Sequence, residues 1–303
     1  MRTSRKERPF YDKRQEELKI SKIINTRKIN DNDSVNYVKI NDEIRITHNS
    51  FHNKVAHMKK INNYFGVNTE TGELIEFKRS QNRGQRICDF KRSLSNLRDI
   101  IKLNVTDLEK CFFITLTYED NISDRNVLRK DFDNFIRKFR RKFGKCKYIN
   151  AVEYQGRGAL HCHLIVIFYD IPTVLITNED INKCWKHGSA DIGPVTSAEA
   201  DAKYLTNFLF EYDEKNEDLD YQFKSKKQRK GERISFYDSN SRLYNCSQDI
   251  KRPEVVKNIT YGEVKEKFGL TKCEKSLSIW NDDNNIVTIE NYKTKKEEFD
   301  EIN

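Results

Sequence analysis

The chain has 303 residues, enough for one large domain or two small ones. Only 36% of them are hydrophobic and 34% are charged, which excludes a large continuous core and predicts long polar segments around a modest one. The formal net charge of +9 points to an anionic partner, nucleic acid before others, although charge alone does not exclude a basic surface that binds nothing.

Seven cysteines, at 88, 111, 146, 162, 184, 246 and 273, include no Cys-x-x-Cys pair. Their odd number and scatter predict reduced thiols, with neither a disulfide framework nor a zinc knuckle. The segment from Met1 to Arg8 has no apolar centre, and no apolar run is long enough to span a bilayer. The expectation is a soluble, cytoplasmic protein with no membrane partner.

Residues 1–50 are rich in Lys, Arg, Asn and Glu with isolated Ile, and read as a basic, partly disordered arm, with a short helix at Asp12–Ile24. Residues 51–110 carry Tyr64 to Leu74, with turn chemistry at Thr71-Gly72, which predicts a small hairpin. In Ser93 to Leu103, Leu94, Leu97, Ile100 and Ile101 fall at helical spacing.

Cys111 to Tyr118 is a strand, with Phe113, Thr115 and Thr117 on one face. That places two hydroxyls where a phosphate can meet them, although ordinary β-branched strand filling explains each threonine as well. A helix follows over about 126–143. Leu128, Phe132, Phe135, Ile136, Phe139 and Phe143 form its apolar stripe, Asp124 its N-cap and Gly144 its C-cap. Its other side carries Arg137, Arg140 and Arg141 among other cations, a solvated face or a nucleic-acid surface.

Lys147 to Glu153 and Leu160 to Phe168 read as two strands joined at Gly156-Arg157-Gly158. His161 and His163 are two apart and share a face. With a three-residue loop, Gln155 pairs with Ala159, and Glu153 lies directly opposite His161, its Cβ about 5 Å away. A lone His-x-His in a strand is more often incidental than a site. The in-phase Glu153 and the glycine turn favour a metal site, whose mixed oxygen and nitrogen ligands suit Mg²⁺ or Mn²⁺.

Asn178 to Trp185 is a short helix and Ser189 to Val195 a further strand. The order strand, helix, strand, strand, helix, strand is the ferredoxin-like βαββαβ pattern, an α+β fold with an antiparallel sheet. Its first and third strands lie side by side, so the threonine strand should neighbour the histidine strand. Thr196-Ser197-Ala198-Glu199 is a capping box that opens a helix to about Phe210, with Lys203 and Tyr204 off its apolar stripe. Residues 213–233 are a basic loop containing Lys226 and Lys227, and 234–244 a second hairpin. Residues 254–303 read as a small helix-and-strand appendage, and 51–253 as one catalytic domain with its core at about 110–212.

Taken together these segments resemble a known family. Phe112 to Thr117 looks like its first motif. His161-Cys162-His163 looks like the His-hydrophobic-His motif of the HUH endonucleases, and Ala202 to Thr206 like the tyrosine motif on the following helix. The pattern is most similar to replication initiator (Rep) proteins of bacterial rolling-circle plasmids and phages, and Trp185-Lys186-His187-Gly188 is similar to that subgroup too. Asn207 stands where the family often has a lysine, and Ala200 where some members have a second tyrosine. The resemblance implies the HUH fold and a metal-dependent nick of single-stranded origin DNA. Glu153, His161 and His163 would hold the ion. Tyr204 would attack to give a 5′-phosphotyrosine and a free 3′-hydroxyl, with Lys203 as a nearby cation. Thr115, Thr117, Arg137, Arg140, Arg141, Lys226 and Lys227 would contact DNA. Further implied partners are a host DNA polymerase and, since no Walker A loop is present, a separate host helicase; a homodimer is compatible with all of this. Other HUH enzymes, a relaxase or single-strand transposase, and a non-catalytic single-stranded nucleic-acid-binding protein are the alternatives.

Overall fold

The computed structural model describes residues 23–24, 27–50, 58–77, 80–83, 87–155, 157–170, 175–198, 236–282 and 285–294. In chain order the strands before the first helix are β1 (Ile23–Ile24), β2 (Ser34–Ile40), β3 (Glu43–Asn49), β4 (Met58–Lys60), β5 (Phe65–Asn68) and β6 (Leu74–Glu76). Then come α1 (Ile87–Asn104), β7 (Cys111–Thr117), α2 (Arg125–Phe143), β8 (Cys146–Tyr154), β9 (Leu160–Phe168), α3 (Asn178–Trp185), β10 (Ala190–Pro194) and β11 (Tyr244–Cys246). The last are β12 (Glu254–Thr260), α4 (Tyr261–Phe268), β13 (Cys273–Asp282) and β14 (Asn285–Lys293). The chain divides into two compact units, one of residues 77–252 and one that combines 1–76 with 253–303.

Unit 77–252 is built on a five-stranded antiparallel sheet in the order β10-β7-β9-β8-β11. Its first four strands have the ferredoxin-like arrangement, the α+β architecture expected from the sequence. The helix α2 begins at Asp124, whose carboxylate accepts from Asn126 N–H, and stops at Gly144, where φ is 101°. Leu128, Phe132, Phe135, Ile136, Phe139 and Phe143 are all buried. Phe139 packs on Phe168 of β9 and Phe132 on Tyr148 of β8, with ring centroids 5.8 and 5.2 Å apart. The alternation of a strand then fixes the rest. Cys162, Leu164 and Val166 share the α2 face with Phe168, whereas His161, His163 and Ile165 point to the opposite face. From α1, Phe90, Leu94, Leu97 and Ile101 join the same core. The stretch 234–244, read as part of a hairpin, instead supplies β11 at its end: Tyr244–Cys246 pairs with β8 as the fifth strand.

The other unit holds a six-stranded antiparallel sheet, β1-β13-β14-β3-β2-β12, and a small three-stranded sheet, β4-β5-β6. Here the expectation of an arm over 1–50 fails for residues 34–49. These form β2 and β3, joined by a two-residue loop in which Asn41 has φ 52°. Val35 and Tyr37 of β2 and Ile44 and Ile46 of β3 are buried with Val264 and Leu270. Four apolar side chains among polar ones look like a tail when read locally. They become a core face because their partners β12 and β14 lie more than two hundred residues away. The helix expected at Asp12–Ile24 lies outside the described residues except for Ile23–Ile24, which pair with β13 as a strand.

Among the described residues no helix is long and apolar enough to cross a membrane.

Candidate metal centre

The side chains that converge come from three adjacent strands. Glu153 of β8 is the cross-strand partner of His161, and the Gln155 N–H donates to the Ala159 carbonyl at 2.8 Å, the register read from the glycine turn. On the other flank of β9, Thr117 pairs with His161 and Thr115 with His163. One row across the sheet therefore reads Thr117, His161, Glu153, and the next Thr115, His163, Ala151. Ala151 is what lets the rows meet. It offers no side chain to His163, so the imidazole reaches diagonally to Glu153, with Nε2 to Oε2 at 3.2 Å.

Glu153 and His163 are 4% and 2% exposed, and His161 is half-buried. The rings of His161 and His163 lie 4.6 Å apart. One ligand atom from each of Glu153, His161 and His163 falls within 4.8 Å of the other two. Metal–ligand bonds of about 2.0–2.4 Å put two ligands of one ion no further apart than that, so the three residues can hold a metal ion. Burial, then the neighbouring His163 and Arg157, push the His161 pKa down from 6.5 to about 3. The ring is neutral at neutral pH, the form a metal requires.

Both threonines serve the histidines. Gln155 Nε2 donates to His161 Nδ1 at 3.5 Å, so His161 Nε2 donates to the Thr117 hydroxyl at 2.8 Å. Thr115 Oγ1 lies 3.3 Å from His163 Nδ1. Each imidazole thus has one nitrogen engaged by a hydroxyl, which fixes its orientation and leaves the other nitrogen for an ion. The sequence placed these hydroxyls beside a phosphate; their partners in the structure are rings. The signal was present in the expected pairing of the threonine and histidine strands.

Residues 111–216 match a family model for replication-associated proteins of the ORF2 type. In this stretch the chain is similar to that family. The match opens on the first residue of β7 and contains the whole Glu153, His161 and His163 cluster. No curated protein and no solved structure matches the chain.

Beyond Thr117 the backbone enters a cleft of about 270 Å³ lined by Tyr118, Glu119, Val127, Asp131, Lys186 and His187. Tyr118 donates its hydroxyl to Asp131 at 2.8 Å, and His187 Nε2 lies 3.5 Å from the same carboxylate. Trp185 donates its indole N–H to the Thr117 carbonyl at 3.0 Å, and Gly188, at φ 145°, lets the chain pass against Thr117 and Glu119. The Trp185 to Gly188 segment is therefore a brace for the end of the threonine strand.

Of the cations expected on DNA, Arg137 and Arg141 are exposed on α2. Arg140 turns inward instead, donating through Nε and Nη2 to the Cys146 carbonyl at 3.1 and 2.7 Å and stacking over Tyr148. Lys203, Tyr204, Lys226 and Lys227 lie outside the described residues. Two residues near the site were read from the sequence as no more than turn or strand-end positions, Gln155 and Arg157. A cation between two turn glycines was the available signal.

Proposed function

We propose that the chain is a replication initiator that nicks single-stranded DNA at a specific site, in the manner of rolling-circle Rep proteins. The observation that carries this reading is the convergence of Glu153, His161 and His163 on one sheet face, within the stretch that matches the replication-associated family. A bound Mg²⁺ or Mn²⁺ would supply Lewis-acid stabilisation of the charge that develops on a scissile phosphate. Glu153 and the two imidazoles would hold the ion, and Thr115 and Thr117 would keep the rings in place.

The nucleophile in this reading is Tyr204. Its phenol oxygen attacks phosphorus and its proton leaves to solvent. The bond from phosphorus to the 3′-oxygen breaks, and that oxygen takes up a proton. The products are a 5′-phosphotyrosine and a 3′-hydroxyl that a host polymerase can extend. Two tyrosines close to the sheet are otherwise committed: Tyr118 is buried and bonded to Asp131, and Tyr237 is buried with its hydroxyl on the Val152 carbonyl at 2.8 Å. Exposed Arg137 and Arg141 would add non-specific attraction for the strand.

The test is incubation of single-stranded origin DNA with Mn²⁺, with Mg²⁺ and with a chelator. The expected result is a nick and a covalent protein–DNA adduct with metal, neither with chelator, and neither in Tyr204→Phe. An adduct that persists in Tyr204→Phe and vanishes in Tyr212→Phe or Tyr221→Phe would move the nucleophile while keeping the reaction. Metal-independent cleavage, or none at all, would sink the reading.

A further inference from the structure

The guanidinium of Arg157 is held rigidly beside the centre by groups that carry no charge. Its Nη2 donates to the Tyr118 carbonyl at 2.6 Å, its Nη1 to the Glu119 carbonyl at 3.1 Å, and its Nε to the Gln155 amide oxygen at 3.2 Å. Gln155 in turn faces His161 Nδ1. A chain of two hydrogen bonds therefore joins the cation to a residue of the metal centre. All three acceptors are neutral, so none of them offsets the positive charge. A guanidinium has five N–H groups, and these bonds use three. The residue is exposed at the hairpin tip, so two N–H groups remain for a ligand from solvent. Its charge reaches the centre, where it is one of the causes that keep His161 neutral.

Fixing an arginine with neutral acceptors spends side-chain entropy without satisfying its charge. That arrangement fits a planar, pre-oriented donor for a phosphate or carboxylate oxygen. We propose that Arg157 is an anion-binding residue of this centre, set to take a non-bridging phosphate oxygen of a DNA strand that lies on Glu153, His161 and His163. The proposal rests on the reading of the centre as a DNA-phosphate site and adds a specific cation to it. The competing role is a staple that only ties the hairpin to the end of β7.

The two roles separate in a binding experiment on the full chain. Fluorescence anisotropy follows a short oligothymidylate, with Mn²⁺ present, across a salt series. Each phosphate contact on a single strand contributes about 0.7 to the slope of log affinity against log salt. Arg157→Gln keeps a donor for the carbonyls and removes the charge. It should lower that slope by about 0.7 and weaken binding about tenfold at low salt. Arg157→Lys keeps the charge, so it should retain the slope and lose affinity through the missing fork. Mn²⁺ affinity, read by electron paramagnetic resonance, should be unchanged or tighter in Arg157→Gln. An unchanged slope overturns the proposal. So does a loss of Mn²⁺ affinity that accounts for the loss of DNA binding, since Arg157 would then act only through Gln155 and His161.

A measurement on the unaltered protein stands even if Arg157→Gln does not fold. Phenylglyoxal labelling of Arg157, read by mass spectrometry, should be suppressed by the oligothymidylate and not by thymidine; labelling unaffected by the oligonucleotide overturns the proposal. Neither measurement needs strand cleavage. If nicking fails while slope and protection hold, the nuclease reading falls and phosphate binding by Arg157 stands. If nicking occurs while neither responds, Arg157 alone is wrong.

Discussion

His161 shows how one sheet row sets the chemistry of a side chain. It sits between Thr117 and Glu153, lies against His163 and is close to the charge of Arg157. The folded protein keeps its pKa near 3, while an unfolded chain returns it to about 6.5. The unfolded state therefore binds the extra proton between those values. Stability from the neutral ring is fully present above about pH 6.5 and is lost progressively as pH falls towards about 3. Urea unfolding at about pH 7 and about pH 4 should show a smaller drop for His161→Asn than for the unmodified chain. Equal drops would mean that His161 does not stay neutral in the fold. The threonines matter at the same scale, because each holds a ring by a hydroxyl that valine, of similar shape, would lack.

At the scale of elements, the centre depends on the end of β7 as much as on the histidine strand. Trp185, closing α3, holds the Thr117 carbonyl, and Arg157 in the hairpin holds the next two carbonyls. Gly188 lets the segment after α3 come close. A Cβ there would lie 2.4 Å from the Thr117 oxygen and 2.5 Å from the Glu119 nitrogen, in a backbone conformation that side chains rarely adopt. Gly188→Ala should cost at least about 2 kcal/mol, read as a lowered thermal midpoint. Because it pushes on the carbonyl of Thr117, it should also weaken Mn²⁺ binding. A variant with unchanged stability and metal affinity would show that the brace is dispensable. On α2 the same sequence run splits by face: Arg137 and Arg141 reach solvent, whereas Arg140 seals the turn into β8.

At the scale of the whole molecule, a unit made of both ends of the sequence surrounds, in chain order, the unit that carries the centre. The strand β3 lies between β2 and β14, and β2 pairs outward with β12. Removing residues 253–303 strips both neighbouring strands and α4 from the β2–β3 pair. A two-stranded ribbon with Tyr37, Ile44 and Ile46 uncovered is marginal in water. Amide hydrogen exchange over 34–49 should therefore rise to near the unprotected rate in the truncated chain. Retained protection would mean that the pair is stable without β12 and β14. What the sequence by itself determined is what short-range rules control. The period of α2, its Asp124 and Gly144 caps, the alternation of β7 and β9 and the glycine turn were enough for the βαββαβ order and for Glu153 opposite His161. Each of those rules acts within a few residues. Tertiary structure alone decided the rest, because the causes are partners distant in sequence. It made strands of 34–49 by pairing them with β12 and β14, turned Arg140 onto the Cys146 carbonyl, gave the threonine hydroxyls to the imidazoles and set Arg157 against the end of β7.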